Sequence, residues 1–353
     1  MGVADMLKHP FWLFSARAVA GVIGDRTAED GPFAGGLELS AAVALLGGRA
    51  NVMFRTREDL EQTVPPGHGA TLMVAGSEDG QFTAAATLVD MEFIGAGKHL
   101  YQHPALHFKF LNGNAPQRKS SVTRVVFSRS QAGAIVVDAA RDLDIVGSVF
   151  HRTYRSAVWV NNNCARDAIT LVGNLALETL RHPLSGLEKP FAAFMLEVRL
   201  ARMTGNIAAG STDMGFVFEP AHWYCTRGVG DPSGSSHWEG TMWEEDVRPE
   251  DQNEAVGCVI GFFMKNPRDH GNRGRFQCAR LRGAVAWKNR QIGIFTLENK
   301  LSVRLDAIAV SDNHIGVALV FQRAADGYKH RIYAENTVNH CVCGCSASFL
   351  FAE

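Results

Sequence analysis

The sequence predicts an α+β fold dominated by antiparallel sheet, and three observations carry that reading. Apolar stretches of strand length recur from residue 76 to the end of the chain. Gly, Asp, Asn and Ser punctuate them at turn-like intervals. One segment, residues 164–181, instead places Ile169, Val172, Leu175, Ala176 and Leu180 at helical three- and four-residue spacing. The organisation that follows is a mixed α/β segment over 1–75 and a β-rich body over 76–353, the two being compatible with a single domain.

In the first segment, residues 37–46 are rich in Leu and Ala and stop at Gly47-Gly48, which reads as a helix with a glycine stop. Residues 51–54 read as a strand, 57–62 as a short helix and 70–75 as a strand. Glu78-Asp79-Gly80 then predicts a hairpin between 71–74 and 82–89. Residues 122–127 and 134–137 form a second apolar pair, and 144–160, rich in Val, Tyr and Trp, a further extended run. The principal helix follows over 164–181, with Asn163 as N-cap and His182-Pro183 as its stop. Residues 191–203 fit strand or helix, and 213–218 look extended. The stretch 220–253 has no regular period, and irregular runs of that length in a compact domain are usually functional. Strands at 256–264, 275–287, 291–297, 301–310 and 317–323 complete an antiparallel set. No internal repeat or low-complexity tract stands out.

Composition bounds the function classes. The 353 residues are 46% hydrophobic and 20% charged, with a formal net charge of −1, which fits a globular chain and argues against a uniformly basic nucleic-acid binder. No leader with an apolar core opens the sequence and no run approaches a membrane span. The expectation is a soluble, cytoplasmic protein that does not engage membranes and forms a homo-oligomer. Seven cysteines, scattered apart from a terminal trio, do not make a disulfide framework.

The candidate chemistry centres on Cys164. At the first turn of the expected helix, free backbone N–H groups and the helix dipole lower a thiol pKa, making Cys164 a nucleophile with His222 as general base and Asp231 as its orienting partner. The function expected on that basis is thiol-dependent acyl transfer or hydrolysis of a small molecule. Whether the chain is an enzyme, and with what cofactor, stays open. Trp223, Tyr224, His237, Trp238 and Glu239 give the long loop the aromatic walls and few polar groups of a ligand site, or of an interface. His237-x-Glu239 with His314 and Arg323 offers a non-haem iron oxygenase alternative. The terminal Cys341, Cys343 and Cys345 alternate as on one strand face, a spacing that suits core packing better than a zinc site; no metal site is assigned.

A second alternative is a non-catalytic protein that self-assembles or binds nucleic acid. Its carrier is the basic segment 265–290, in which Arg273, Arg275, Arg280, Arg282, Lys288 and Arg290 accompany Phe276 and Trp287. Two resemblances touch the cysteine reading. Cys164, Ala221-His222 and the closing Asn339 to Phe351 are faintly similar to condensing enzymes of the thiolase superfamily. Cys164-x-x-Asp167 with His222 is faintly similar to transglutaminase-like cysteine hydrolases. Each covers under a tenth of the chain, and neither family is adopted.

Overall fold

The computed structural model describes 71–78, 84–98, 103–111, 119–161, 164, 168–181, 191–219, 252–265, 281–296 and 305–319 in full, and the backbone alone of 37–39, 43–46, 52–55, 277–280, 297, 301–304, 320, 332–335, 338–340 and 349–352. All the regular structure among these residues is strand. The chain winds in coils of two or three strands. β1 (Leu37–Leu39), β2 (Val43–Leu46) and β3 (Val52–Arg55) make the first coil, and β4 (Leu72–Ala75), β5 (Ala86–Val89) and β6 (Met91–Ile94) the second. β7 (Leu106–Leu111), β8 (Ser120–Thr123) and β9 (Val126–Ser128) follow, then β10 (Ile135–Ala140), β11 (Leu143–Val146) and β12 (Val149–His151). The next coils are β13 (Val158–Val160), β14 (Ile169–Val172) and β15 (Leu175–Leu177), then β16 (Ala192–Leu196), β17 (Arg202–Thr204) and β18 (Ile207–Ala209). β19 (Met214–Phe218) pairs off with β20 (Asn253–Val256), β21 (Ile260–Lys265) with β22 (Gln277–Trp287), and β23 (Ile292–Leu297) with β24 (Leu301–Ser311). β25 (Ile315–Val320), β26 (Ile332–Glu335), β27 (Val338–His340) and β28 (Phe349–Ala352) end the series.

Each strand pairs in parallel with its counterpart one coil away, which stacks the coils into three sheets of 11, 6 and 11 strands. The first sheet runs from β1 through β4, β7, β10, β13, β16, β19, β21, β23 and β25 to β28. The second runs from β2 to β17, and the third from β3 to β26, taking in the long β22 and β24. This is a parallel β-helix, a solenoid in which each coil contacts mainly its neighbours.

Two corners recur along the described coils, and both use left-handed backbone. Between the second and third sheets the corner residues are Asp90, Arg124, Gly147, Gly173 and Gly205, all at φ between 53° and 65°. Between the third and first sheets they include Gly95, Arg129, Arg152, Glu178, Gly210, Gly257, Lys288 and Asp312. The non-glycine members accept a conformation L-residues disfavour by about 1–2 kcal/mol, and several are bound across coils. Arg124 holds Asp90 through Nε and Nη2 at 2.6 and 2.8 Å, and Arg152 Nε holds Glu178 at 2.7 Å.

Inside the coil, identical positions stack into columns. Phe93, Phe127 and Phe150 stack face to face in the third sheet with centroids 4.8 and 5.2 Å apart. Further along, that sheet carries Ala176, Ala208, Ala255 and Ala286, and the bulk moves to the first sheet, where Phe194, Phe216 and Phe262 stack at 4.9 and 4.7 Å. Large and small residues thus trade across the core, keeping it filled. A glycine column lies at the entry to the first sheet. A Cβ on Gly261 would meet the Gly293 carbonyl oxygen at 2.5 Å and Asn289 Nδ2 at 2.9 Å, and a Cβ on Gly293 would meet Gly316 O at 2.6 Å.

The α+β antiparallel expectation is therefore overturned. Within the range expected as helix, residues 168–181 are strand and corner: Gly173, at φ 63°, separates β14 from β15, and the inward residues are Ile169, Leu171, Asn174, Ala176 and Thr179. The helical spacing arose because a corner between two strands interrupts their period of two. Residues 37–46, expected as helix, contain β1 and β2. The expected hairpin across 78–80 is absent, because β4 and β5 belong to different sheets. From β19 on, the expected strand positions agree closely, but their partners are parallel and lie a coil away. Among the described residues no helix is long and apolar enough to cross a membrane, which says nothing of strands.

Candidate functional site

The outward face of the first sheet gathers polar side chains that the sequence keeps far apart. Register places Lys109 beside Asp138. Asn161, Glu197 and Glu219 are each the first residue past β13, β16 and β19, and their amides donate to Val137, Val160 and Leu196 of the preceding coils at 2.9, 2.9 and 2.8 Å. Phe218 is level with Met264, so Lys265 comes next in line. Lys109, Asp138, Asn161, Glu197, Glu219 and Lys265 thereby form one row across six coils, about 24 Å long at about 4.8 Å per strand. All six are half-buried.

Glu197 and Glu219 occupy neighbouring coils, and their partners draw them in opposite directions. Trp159 Nε1, one coil before, donates to Glu197 Oε1 at 2.9 Å. Lys265 Nζ, one coil after, donates to both carboxylate oxygens of Glu219 at 2.9 Å. The Lys265 and Glu219 side chains keep only 21% and 15% of their surface exposed, so water screens this ion pair less than an open one. Trp159 belongs to the adjacent outward row with His107, Val136, Met195, Val217 and Phe263. That row turns apolar along the axis: Val217 and Phe263 are buried with Met214 and Ile260 although they point away from the core. The two outward rows therefore offer an indole, three carboxylates, an amide and two amines, a set able to hydrogen-bond a hydroxyl-rich chain and to move protons on it.

The cysteine reading fails at its geometry. Cys164 is buried, with its thiol donating to the Val137 carbonyl at 3.2 Å, and burial pushes its pKa up to about 12. Among the described residues of the expected helix, 168–181 are strand and corner, so thiol-dependent acyl transfer or hydrolysis is withdrawn. Cys258 is also buried, its pKa raised to about 11 for the same reason. His222, Asp231, Trp223, Tyr224, His237, Trp238 and Glu239 lie outside the described residues, as do Arg323 and the row Cys341, Cys343 and Cys345. His314 stands exposed at the corner before β25. The iron-oxygenase alternative, whose His237, Glu239 and Arg323 lie outside the described residues, is withdrawn as well.

The basic segment does not form one stripe. Arg273 and Arg275 lie outside the described residues, and Arg280 is placed by its backbone alone in β22. Arg282 Nε lies 3.7 Å from Asp306, Lys288 sits at a corner with its amine 4.9 Å from the Trp287 ring centroid, and Arg290 Nη2 donates to the Ser211 carbonyl at 2.8 Å. Those that are described divide between β22 of the third sheet and the corner after it, and the nucleic-acid and self-assembly alternative built on that segment is withdrawn with the thiol function.

Sequence reasoning missed the whole row. A signal for it exists: Val158–Asn161, Phe194–Glu197, Phe216–Glu219 and Phe262–Lys265 each place a polar residue directly after three apolar ones. No family model matches the sequence, and no curated protein does. Among solved structures the chain is similar to endopolygalacturonase I from Stereum purpureum, solved with two galacturonates, at 10% identity over 87% of this chain and 94% of that one, with a TM-score of 0.35.

Proposed function

We propose that the chain binds an extended polysaccharide along the outer face of the first sheet and hydrolyses it between Glu197 and Glu219. The observation that supports this most is the pair of carboxylates on successive coils, held apart by Trp159 on one side and Lys265 on the other. Glycoside hydrolysis calls for two carboxyl groups flanking one bond, one to protonate the leaving oxygen and one to activate water or attack the sugar carbon. Glu197, whose Oε1 accepts from the neutral indole N–H of Trp159, is assigned as the acid. Glu219, ion-paired with Lys265, is assigned as the base or nucleophile.

The rest of the row fits the same ligand. A linear polymer laid along the solenoid axis meets a new side chain at every coil. Asn161 offers both donor and acceptor to sugar hydroxyls. The Trp159 ring, apolar on its face and polar at its edge, suits the flat side of a sugar. The test is incubation with a panel of neutral and acidic polysaccharides, following new reducing ends and, separately, retention of the protein on each immobilised polymer. The reading expects both with at least one polymer. Retention and cleavage absent across the panel overturn it.

A further inference from the structure

At the β7 end of this face cationic and imidazole groups come together, a buried Lys98 and half-buried His103, His107 and Lys109. Lys98 and His103 form an antiparallel bridge, Lys98 N to His103 O at 2.7 Å and His103 N to Lys98 O at 3.0 Å, just before β7. His107 and Lys109 then follow two residues apart on the outward face of β7. Both ring nitrogens of His107 are buried with no hydrogen-bond partner. An imidazole in that condition loses a donor and an acceptor interaction, a cost a structure normally avoids unless something else fills the place.

The groups acting on one another here are mostly of one sign. Lys98 and Lys109 both act against a charge on His103, and Lys109 and His103 act against one on His107; the opposing group is Asp138 of β10. From β4 the neighbours level with His107 and Lys109 are Met73 and Ala75, neither of which is ionisable. The Lys109 amine rests 4.7 Å from the Phe110 ring centroid.

We infer that Lys98, His103, His107 and Lys109 form an anion subsite that takes a carboxylate or sulfate carried by the ligand of this face. The inference rests on the polysaccharide reading and adds to it the substrate class: an acidic polymer, with its charged substituent seated four coils from Glu219. An incoming anion accepts from the lysine amines and from one or both imidazoles in their N–H forms. Because it favours the protonated rings, binding takes up protons, and affinity rises as pH falls.

The test is calorimetric titration of the full chain with three polymers, a polyuronate, a sulfated glycan and a neutral glucan, at pH 7.5 and 5.5. The inference expects an acidic polymer to bind at least tenfold tighter than the glucan and to gain roughly tenfold more at the lower pH. His107→Gln or Lys98→Met should cost that polymer roughly tenfold and leave the glucan unchanged. Lys109→Met serves the same purpose should either of those fail to fold. Which acidic polymer binds tighter separates carboxylate from sulfate. Equal, pH-independent binding of all three polymers overturns the subsite and leaves the polysaccharide reading standing. Binding of none of them overturns both.

Discussion

Asn206 donates its Nδ2 to the Oδ1 of Asn253 at 2.9 Å while its own Oδ1 accepts from Asn174 Nδ2, also at 2.9 Å. Each Nδ2 also donates to a backbone carbonyl: Asn174 to Ile145, Asn206 to Leu171 and Asn253 to Met203, all at 2.9 Å. A shorter ladder joins Asn289 to Asn313 at the other corner. These amides satisfy the backbone where the coil turns and no strand pairing can, so the ladder is what closes the corner in a buried setting.

Replacing Asn206 by Leu should therefore cost about 2–4 kcal/mol, because it strands donors and acceptors on both neighbours. Asp should not rescue it, having no donor for the Leu171 carbonyl when ionised. Urea unfolding curves measure both variants; a loss under about 1 kcal/mol would remove the ladder from the stability argument.

Gly261→Ala and Gly173→Ala separate crowding from backbone strain. At Gly261 the new methyl collides with backbone oxygen at 2.5 Å, whereas at Gly173, φ 63°, nothing lies within 4 Å. The first variant should unfold or fall below detection on expression. The second should lose only the left-handed penalty, about 1–2 kcal/mol. Thermal melts of the two variants, run side by side, check the order.

The thiols supply a chemical check. Burial raises Cys164 to about 12 and Cys258 to about 11, above their ordinary 9.0. Each group stays protonated when folded, so its contribution to stability is whole below pH 9 and declines as pH rises from 9 towards these values. Iodoacetamide at pH 8 should label both cysteines only on unfolding, as peptide mapping would report.

His107 works in the opposite direction. Burial, chiefly, lowers its pKa from 6.5 to about 4. The unfolded chain binds a proton more readily, so stability is whole above pH 6.5 and falls as pH drops towards 4, by at most about 3 kcal/mol. His107→Phe should flatten that part of the pH–stability curve, read from chemical unfolding at intervals between pH 4 and 7.

What the sequence made legible was strand, and what it concealed was pairing. Residues 213–218, 291–297 and 301–310 read as extended and are so, because alternating β-branched and aromatic residues are a local property. Parallel partners a coil away leave no local mark, and turn signals between consecutive strands look the same for hairpins and for coil corners. The repeat that would have disclosed the coil is present but degenerate. Ser148–Thr153, Asn174–Thr179, Asn206–Ser211 and Asn253–Cys258 each run from a buried polar corner residue through a central Phe or Ala to a small residue after the second corner. Inserted segments such as 182–190 and 220–251 break its spacing, so a fixed-period search passes over it. Glu197 and Glu219 were hidden for the same reason: only the stacking of coils makes them neighbours.

Polymer cleavage by Glu197→Gln and Glu219→Gln variants is the measurement that bears most directly on the central claim. Gln keeps the volume of each side chain and the indole contact at position 197 while removing the acid–base function. With a polysaccharide the native chain cleaves, each variant should bind it within a few-fold of the native affinity yet release reducing ends roughly 10²–10⁴ times more slowly. Cleavage at the native rate by either variant would contradict the assignment of the two carboxylates.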